Sequence, residues 1–194
     1  FGARANLAKC LLYAINGGRD EMTGEQVAPM YSPIEGDYLT YEEFMPRFEQ
    51  MMRWLAKTYV NALKIIHYMH DKYDYEAFEM ALHDGDVQRT RATGIAGLSI
   101  VTDSIAAMKN CKIRIIRDET GLAVDYKIEE GEYIPFGNDC DETDAIAVEL
   151  TEKFMEYLRQ HRTYRDAIPT QSLLTITSNV VHGRSTGSTP AGRT

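Results

Sequence analysis

Apolar side chains recur every three or four residues over much of the chain, and this spacing places them along one face of an α-helix. Thr40 and Glu43 have the spacing of a capping box, so we predict that a long helix begins there. Pro46 near its start predicts either a distorted first turn or a slightly later beginning. The predicted buried face consists of Phe44, Phe48, Met51, Leu55, Tyr59, Ala62, Ile66 and Met69.

A shorter amphipathic helix is predicted at the start of the chain. Leu7, Leu11 and Ile15 share one face of it, and Gly17–Gly18 follow as a stop signal. On this pattern the helix begins with the first residues of the chain. Arg4 would then lie about one turn into the helix.

The rest of the chain alternates between helical and strand-like segments. Thr102–Asp103 would cap one helix, and the apolar run Leu173–Thr177 is typical of a buried strand. The polar residues from Ser178 onward predict a loop. The other predicted segments are a helix over Tyr75–Leu82, hairpin strands over Lys112–Arg117 and Leu122–Ile128, and a helix that begins at Asp141 or Thr143. The pattern predicts a helix-rich α/β or α+β fold, and we expect residues 1–194 to be part of one domain that is incomplete at both ends.

The composition is that of a soluble globular protein and restricts its partners. The chain carries 21 Lys and Arg against 29 Asp and Glu, and this net charge of −8 disfavours nucleic acid or an anionic membrane. The three widely spaced cysteines indicate reduced thiols and a cytoplasmic location rather than a disulfide framework. No apolar run reaches transmembrane length.

Arg4 is the first candidate for chemistry. A guanidinium can bind a carboxylate through two parallel hydrogen bonds. The small neighbours Ala3 and Ala5 would let a ligand approach it closely. The alternative is an ordinary exposed arginine, which the residues alone favour.

The histidines and Cys10 are weaker candidates. His67 and His70 are three positions apart, but zinc needs further ligands that the sequence does not supply, so we predict structural or surface roles and no metal site. His83, beside Asp84 at a helix end, could relay a proton or complement the helix dipole. Cys10 has apolar neighbours and is predicted to be a core residue rather than a nucleophile.

Several longer strings identify a family. They include FGARANLAK at residues 1–9, IIHYMHDKY at 65–73, ALHD at 81–84, GIAGLS at 94–99 and TYRDAIPTQS at 163–172. In order and over the whole chain, they closely resemble the pyruvate formate-lyase (formate C-acetyltransferase) family of glycyl radical enzymes. The resemblance is to the pyruvate-type branch, with its 2-ketobutyrate relatives, rather than to the diol dehydratases.

This resemblance implies a ten-stranded α/β barrel, of which the chain would form a helix-rich part. In the family, a glycyl radical installed by a separate activating enzyme generates a thiyl radical that attacks the carbonyl carbon of pyruvate. Formate leaves, and the acetyl group passes to coenzyme A. The resemblance also implies a cytoplasmic homodimer that works in anaerobic fermentation.

The cysteine pair and the radical glycine of the family have no counterpart in this sequence. Cys10, Cys111 and Cys140 do not match the adjacent pair. We therefore expect the pair upstream of Phe1 and the glycine downstream of Thr194. We also expect the isolated fragment to be inactive.

Three residues receive roles from the resemblance. Arg4 matches an arginine that binds the pyruvate carboxylate, together with a second arginine outside this chain. Phe1 matches an aromatic residue that packs near bound pyruvate, and His83 matches a histidine near the presumed route of coenzyme A. The alternatives are a 2-ketobutyrate formate-lyase paralogue and, from another class, a stand-alone helical interaction module.

Overall fold

The computed structural model describes residues 4–173 and 177–192, so Phe1 lies outside the described residues. The helices are α1 (Leu7–Ile15), α2 (Tyr41–Asp71), α3 (Tyr75–Met80), α4 (Leu98–Asn110), α5 (Asp141–Arg159) and α6 (Ser178–Arg184). The strands are β1 (Ala5–Asn6), β2 (Tyr38–Leu39), β3 (Thr90–Ala96), β4 (Lys112–Arg117), β5 (Ala123–Glu130) and β6 (Ile168–Ser172). Strands β1, β3 and β6 form a parallel sheet, and β2, β4 and β5 form an antiparallel one. The predicted α/β class is confirmed.

Helix α2 is the main scaffold of the fold. It begins at Tyr41, because Thr40 accepts a hydrogen bond from the Glu43 amide at 3.4 Å, as the capping box predicts. The helix runs through Pro46 without interruption. None of the helices in the described part of the chain has the length and apolar character of a membrane span.

The core lies against the first half of α2, where α1, α4 and α5 pack around it. Its fully buried side chains include Phe44, Phe48, Met51, Phe154, Leu11 and Ile105. The second half of α2 is covered only as far as Leu63, and beyond it Ile66 and Met69 are each 44% exposed. The prediction of a stripe buried along the whole helix is therefore wrong from Ala62 onward, since Ala62 is exposed as well.

The hairpin of β4 and β5 is confirmed. The strands pair antiparallel, with Ile115 opposite Tyr126. Ile113 and Ile115 are buried while Lys112 and Arg114 are exposed, so the two kinds of side chain lie on opposite faces of β4.

The predicted start of α4 is wrong. The helix begins at Leu98, directly after Gly97, which takes up a left-handed conformation with φ +80°. Thr102 and Asp103 are buried inside the helix instead of capping it. Asp103 accepts a hydrogen bond from the Phe136 amide at 2.7 Å, a long-range role that local spacing does not reveal.

Near the end of the chain, one prediction cannot be compared with the structure and another is wrong. Most of the strand predicted at Leu173–Thr177 lies outside the described residues, because residues 174–176 are not among them; the strand β6 ends just before it, and Leu173 is 52% exposed. Helix α6 forms where a loop was predicted.

Candidate functional site

Arg4 lies just before β1 rather than inside a helix. Helix α1 begins only at Leu7, because Asn6 accepts a hydrogen bond from the Lys9 amide at 3.1 Å and caps the helix there. The prediction that Arg4 lies one turn into the helix is therefore wrong. Its position is set by a sheet and not by a helical turn.

The pairing of β1 with β3 places Arg4 beside Gly94. Ala5 is the parallel register partner of Ile95, so the preceding residues of the two strands are aligned. A Cβ built on Gly94 would lie 3.3 Å from Arg4 Cγ and 3.7 Å from Arg4 Nε. The half-buried Arg4 side chain therefore lies against the backbone of β3.

Tyr59 of α2 reaches the same point of β3. Its hydroxyl accepts a hydrogen bond from the Gly94 amide at 3.1 Å. Burial raises the pKa of the Tyr59 phenol, against the opposing effects of that hydrogen bond and of the Arg4 and Arg91 charges. A helix, a strand and a cationic side chain thus meet at Gly94.

The junction of β1 and α1 is fastened to the segment that follows α6. Asn6 Nδ2 donates a hydrogen bond to Thr186 Oγ1 at 3.0 Å, and Thr186 Oγ1 donates one to the His182 carbonyl at 2.7 Å. Sequence reasoning missed this contact because it joins distant residues. The position of Asn6 before an apolar helix was a signal that could have found the cap.

A largely buried charge cluster holds the same segment near Gly187. Lys9 Nζ lies 2.8 Å from a carboxylate oxygen of Asp20 and 2.7 Å from one of Glu21. Glu21 also accepts a hydrogen bond from the Gly187 amide at 2.7 Å. Burial alone would raise the pKa of Asp20, but hydrogen bonds from Lys9 and two backbone amides lower it to about 2.

His83 lies in a separate cleft. This cleft has a volume of about 400 Å³ and lies between the end of α2, α3 and the start of β3. Its walls include His83, His67, Arg89 and Arg91, while Arg4 is outside its lining. His83 itself is exposed. The structure thus does not place the two predicted site residues in one cavity.

Glu76 is the acidic centre of that cleft. Its carboxylate forms an ion pair with Arg89 and lies 3.3 Å from His67 Nε2 and 3.5 Å from Arg165 Nε. The ring of His67 also packs edge-on against Tyr164, with centroids 4.8 Å apart. His67 therefore has structural contacts, as predicted. Across residues 4–173 and 177–192, the His, Cys, Asp and Glu side chains form no group of three or more that could hold a metal ion.

The three thiols, Cys10, Cys111 and Cys140, are free. Cys10 is buried in α1, and burial raises the pKa of its thiol. A buried thiol that resists ionisation is a poor nucleophile, so the prediction that Cys10 is a core residue is confirmed.

Sequence comparison decides the family. The family described as pyruvate formate lyase-like matches residues 1–183. The chain belongs to this family. It is 62% identical over 193 residues to formate acetyltransferase 1 of Escherichia coli (strain K12), a match that covers 100% of this chain and 25% of that relative. The chain thus spans about a quarter of the length of this curated relative.

Solved structures of three larger proteins share the fold. A protein of 1,2-propanediol dehydration in Roseburia inulinivorans matches with a TM-score of 0.76 at 22% identity, over 97% of this chain and 27% of that chain. The glycerol-bound, B12-independent glycerol dehydratase from Clostridium butyricum matches with a TM-score of 0.76 at 20% identity, over 97% and 26%. A glycyl radical enzyme from Archaeoglobus fulgidus matches with a TM-score of 0.70 at 20% identity, over 97% and 26%. The chain therefore folds like part of these larger proteins. That the complete protein forms a ten-stranded barrel stays a prediction.

Proposed function

We propose that this chain is the part of a formate C-acetyltransferase that supplies Arg4 to the carboxylate of pyruvate. The observation that carries the proposal is the 62% identity over 193 residues to formate acetyltransferase 1. The position of Arg4 supports it, because the residue is half-buried and its side chain lies against Gly94 from Cγ to Nε. A guanidinium that is fixed and partly shielded from water binds a carboxylate strongly and in one orientation.

The complete enzyme would convert pyruvate and coenzyme A to acetyl-CoA and formate in anaerobic fermentation. A glycyl radical, installed by an activating enzyme, would supply the hydrogen-atom abstraction that starts the reaction. Residues of this chain would bind and orient the substrate rather than carry the radical. We further propose that the enzyme is a cytoplasmic homodimer.

The other two residues receive narrower roles. Phe1 would pack near bound pyruvate. His83 would lie on the coenzyme A side, in a cleft whose walls also carry Arg91 and the Arg89–Glu76 ion pair.

The alternatives are not favoured. A stand-alone helical interaction module does not explain why the family match runs over residues 1–183. The match to a formate acetyltransferase also favours pyruvate over 2-ketobutyrate as the substrate.

The test is a chimaera in which residues 1–194 replace the matching quarter of the E. coli relative. After anaerobic activation, we expect formate release that depends on pyruvate and coenzyme A and is weaker with 2-ketobutyrate. Arg4→Gln should raise the KM for pyruvate roughly 10- to 100-fold, the usual effect of losing a charged hydrogen bond.

The matched control is Arg114→Gln, which removes an exposed guanidinium on the hairpin. It should leave the KM for pyruvate unchanged. The proposal fails if the chimaera carries the radical, seen by electron paramagnetic resonance, but releases no formate. The role of Arg4 fails if Arg4→Gln behaves like the control.

A further inference from the structure

We infer that Gly94 is a positioning residue for substrate binding, because the missing side chain at this position lets the Arg4 guanidinium lie close to the sheet. The inference rests on the proposed function of Arg4 as the carboxylate ligand. If the inference holds, the binding of the carboxylate by Arg4 also depends on Gly94 of β3, some ninety positions away in the sequence.

The contact between the two residues is steric and specific. The three heavy atoms nearest to a Cβ built on Gly94 all belong to Arg4: Cγ at 3.3 Å, Nε at 3.7 Å and Cδ at 3.8 Å. The aliphatic stem of Arg4 therefore runs along the surface of Gly94. A contact of 3.3 Å is shorter than ordinary packing, so even a methyl group would push the stem outward.

Backbone freedom does not explain this glycine. Gly94 lies within β3 and is the parallel register partner of Ser172 on β6. It is absent from the residues whose φ is positive. Because a glycine inside a strand weakens that strand, its presence marks a close approach by another group. Here that group is Arg4.

Two hydrogen bonds hold β3 in place at this contact. Tyr59 accepts the hydrogen bond of the Gly94 amide at 3.1 Å. Thr93, the residue before, donates a hydrogen bond from its hydroxyl to the Thr170 carbonyl of β6 at 2.6 Å. A side chain added at position 94 would therefore move Arg4 more readily than it would move β3.

The experiment is a double-mutant cycle in the chimaera, with Gly94→Ala, Arg4→Ala and the double variant. Gly94→Ala should raise the KM for pyruvate roughly 3- to 10-fold, because a small displacement of a binding group weakens an oriented contact. The KM for coenzyme A should not change. In the Arg4→Ala background, Gly94→Ala should have no further effect on the KM for pyruvate, because the group it displaces has gone. Gly85→Ala is the matched control, since a Cβ there would meet nothing within 4 Å.

The possible outcomes distinguish the positioning role of Gly94 from the carboxylate-binding role of Arg4. If Arg4→Ala raises the KM for pyruvate and Gly94→Ala does not, the inference about Gly94 is wrong and the role of Arg4 stands. If the effect of Gly94→Ala persists in the Arg4→Ala background, Gly94 acts on the fold and the inference is also wrong. If Arg4→Ala itself has no effect, the proposed function of Arg4 fails.

The same variants also test whether Gly94→Ala disturbs folding. If Gly94→Ala alone reduces the amount of radical-carrying enzyme, the double variant should restore it, because removing the Arg4 stem makes room for the added methyl group. Failure of the double variant to restore it would overturn the inference.

Discussion

The two halves of α2 belong to one helix but lie in different surroundings. In the first half, Phe44 and Phe48 are fully buried, and their rings stack with centroids 5.1 Å apart. In the second half, beyond the buried Leu63, Ile65 is 64% exposed and Tyr68 is 53% exposed. The apolar spacing is similar in both halves. Helical periodicity therefore predicts where a helix forms, while burial depends on which other elements reach it.

The exposed half continues into α3. Phe78 is 78% exposed, and Leu82 just beyond the helix is 81% exposed. Neighbouring apolar side chains with this exposure are typical of a contact surface. The candidate residues lie in equally different surroundings, because Arg4 lies beside Gly94, where the buried Tyr59 of α2 binds, whereas His83 lines the cleft at the exposed end of α2.

The largest expected difference between the halves comes from truncating a phenylalanine in each. Phe48→Ala should lower the free energy of local opening around α1 and α2 by about 3–5 kcal/mol, because it leaves a cavity in a closed core. Phe78→Ala should change that free energy by no more than about 0.5 kcal/mol. Hydrogen exchange of the amides of α1 and α2 in the chimaera measures both. Equal effects of the two substitutions would contradict the contrast drawn between the halves.

A smaller effect is expected from the charge cluster that joins α1 to the loop after it and to Gly187. The pKa of Asp20 is lowered to about 2, so its ion pair adds stability above the ordinary carboxyl pKa and loses it as the pH falls through about 2. At neutral pH, Asp20→Asn should lower the free energy of opening of α1 by about 2 kcal/mol and should make it less dependent on pH in the acid range. Hydrogen exchange of α1 between pH 6 and pH 3 measures this effect.

The matched control is Asp125→Asn, which removes an exposed carboxylate on the hairpin. It should leave the exchange of α1 unchanged. If both substitutions alter α1 equally, net charge rather than the Lys9 cluster controls its stability.

The parts of the fold that the sequence predicts correctly depend on local signals. The Thr40 cap, the long periodic α2 and the hairpin turn around Asp118–Gly121 are each encoded within a few residues. The apolar spacing alone puts the start of the first helix too early, because the helix begins only after the cap at Asn6. Local spacing also puts the start of α4 too late, because Asp103 resembles a cap but forms a long-range hydrogen bond with the Phe136 amide.

The candidate site could be predicted only in part, for the same reason. The resemblance assigned a role to Arg4 from the surrounding string of residues. It did not show that Gly94 lies beneath the Arg4 side chain, because the two meet only when β1 pairs with β3. An isolated glycine in a strand-like run was a signal of close approach, but its partner could not be named from sequence alone.

The central claim is that the Arg4 guanidinium, lying against Gly94, binds the carboxylate of the substrate. Oxamate tests it most directly, because this amide is nearly isosteric with pyruvate and keeps the carboxylate, so its inhibition constant reports binding without turnover. In the chimaera, Arg4→Gln should raise the inhibition constant of oxamate about 10- to 100-fold, and Arg114→Gln should leave it unchanged. An inhibition constant that is the same in the unmodified chimaera and in both variants would contradict the claim.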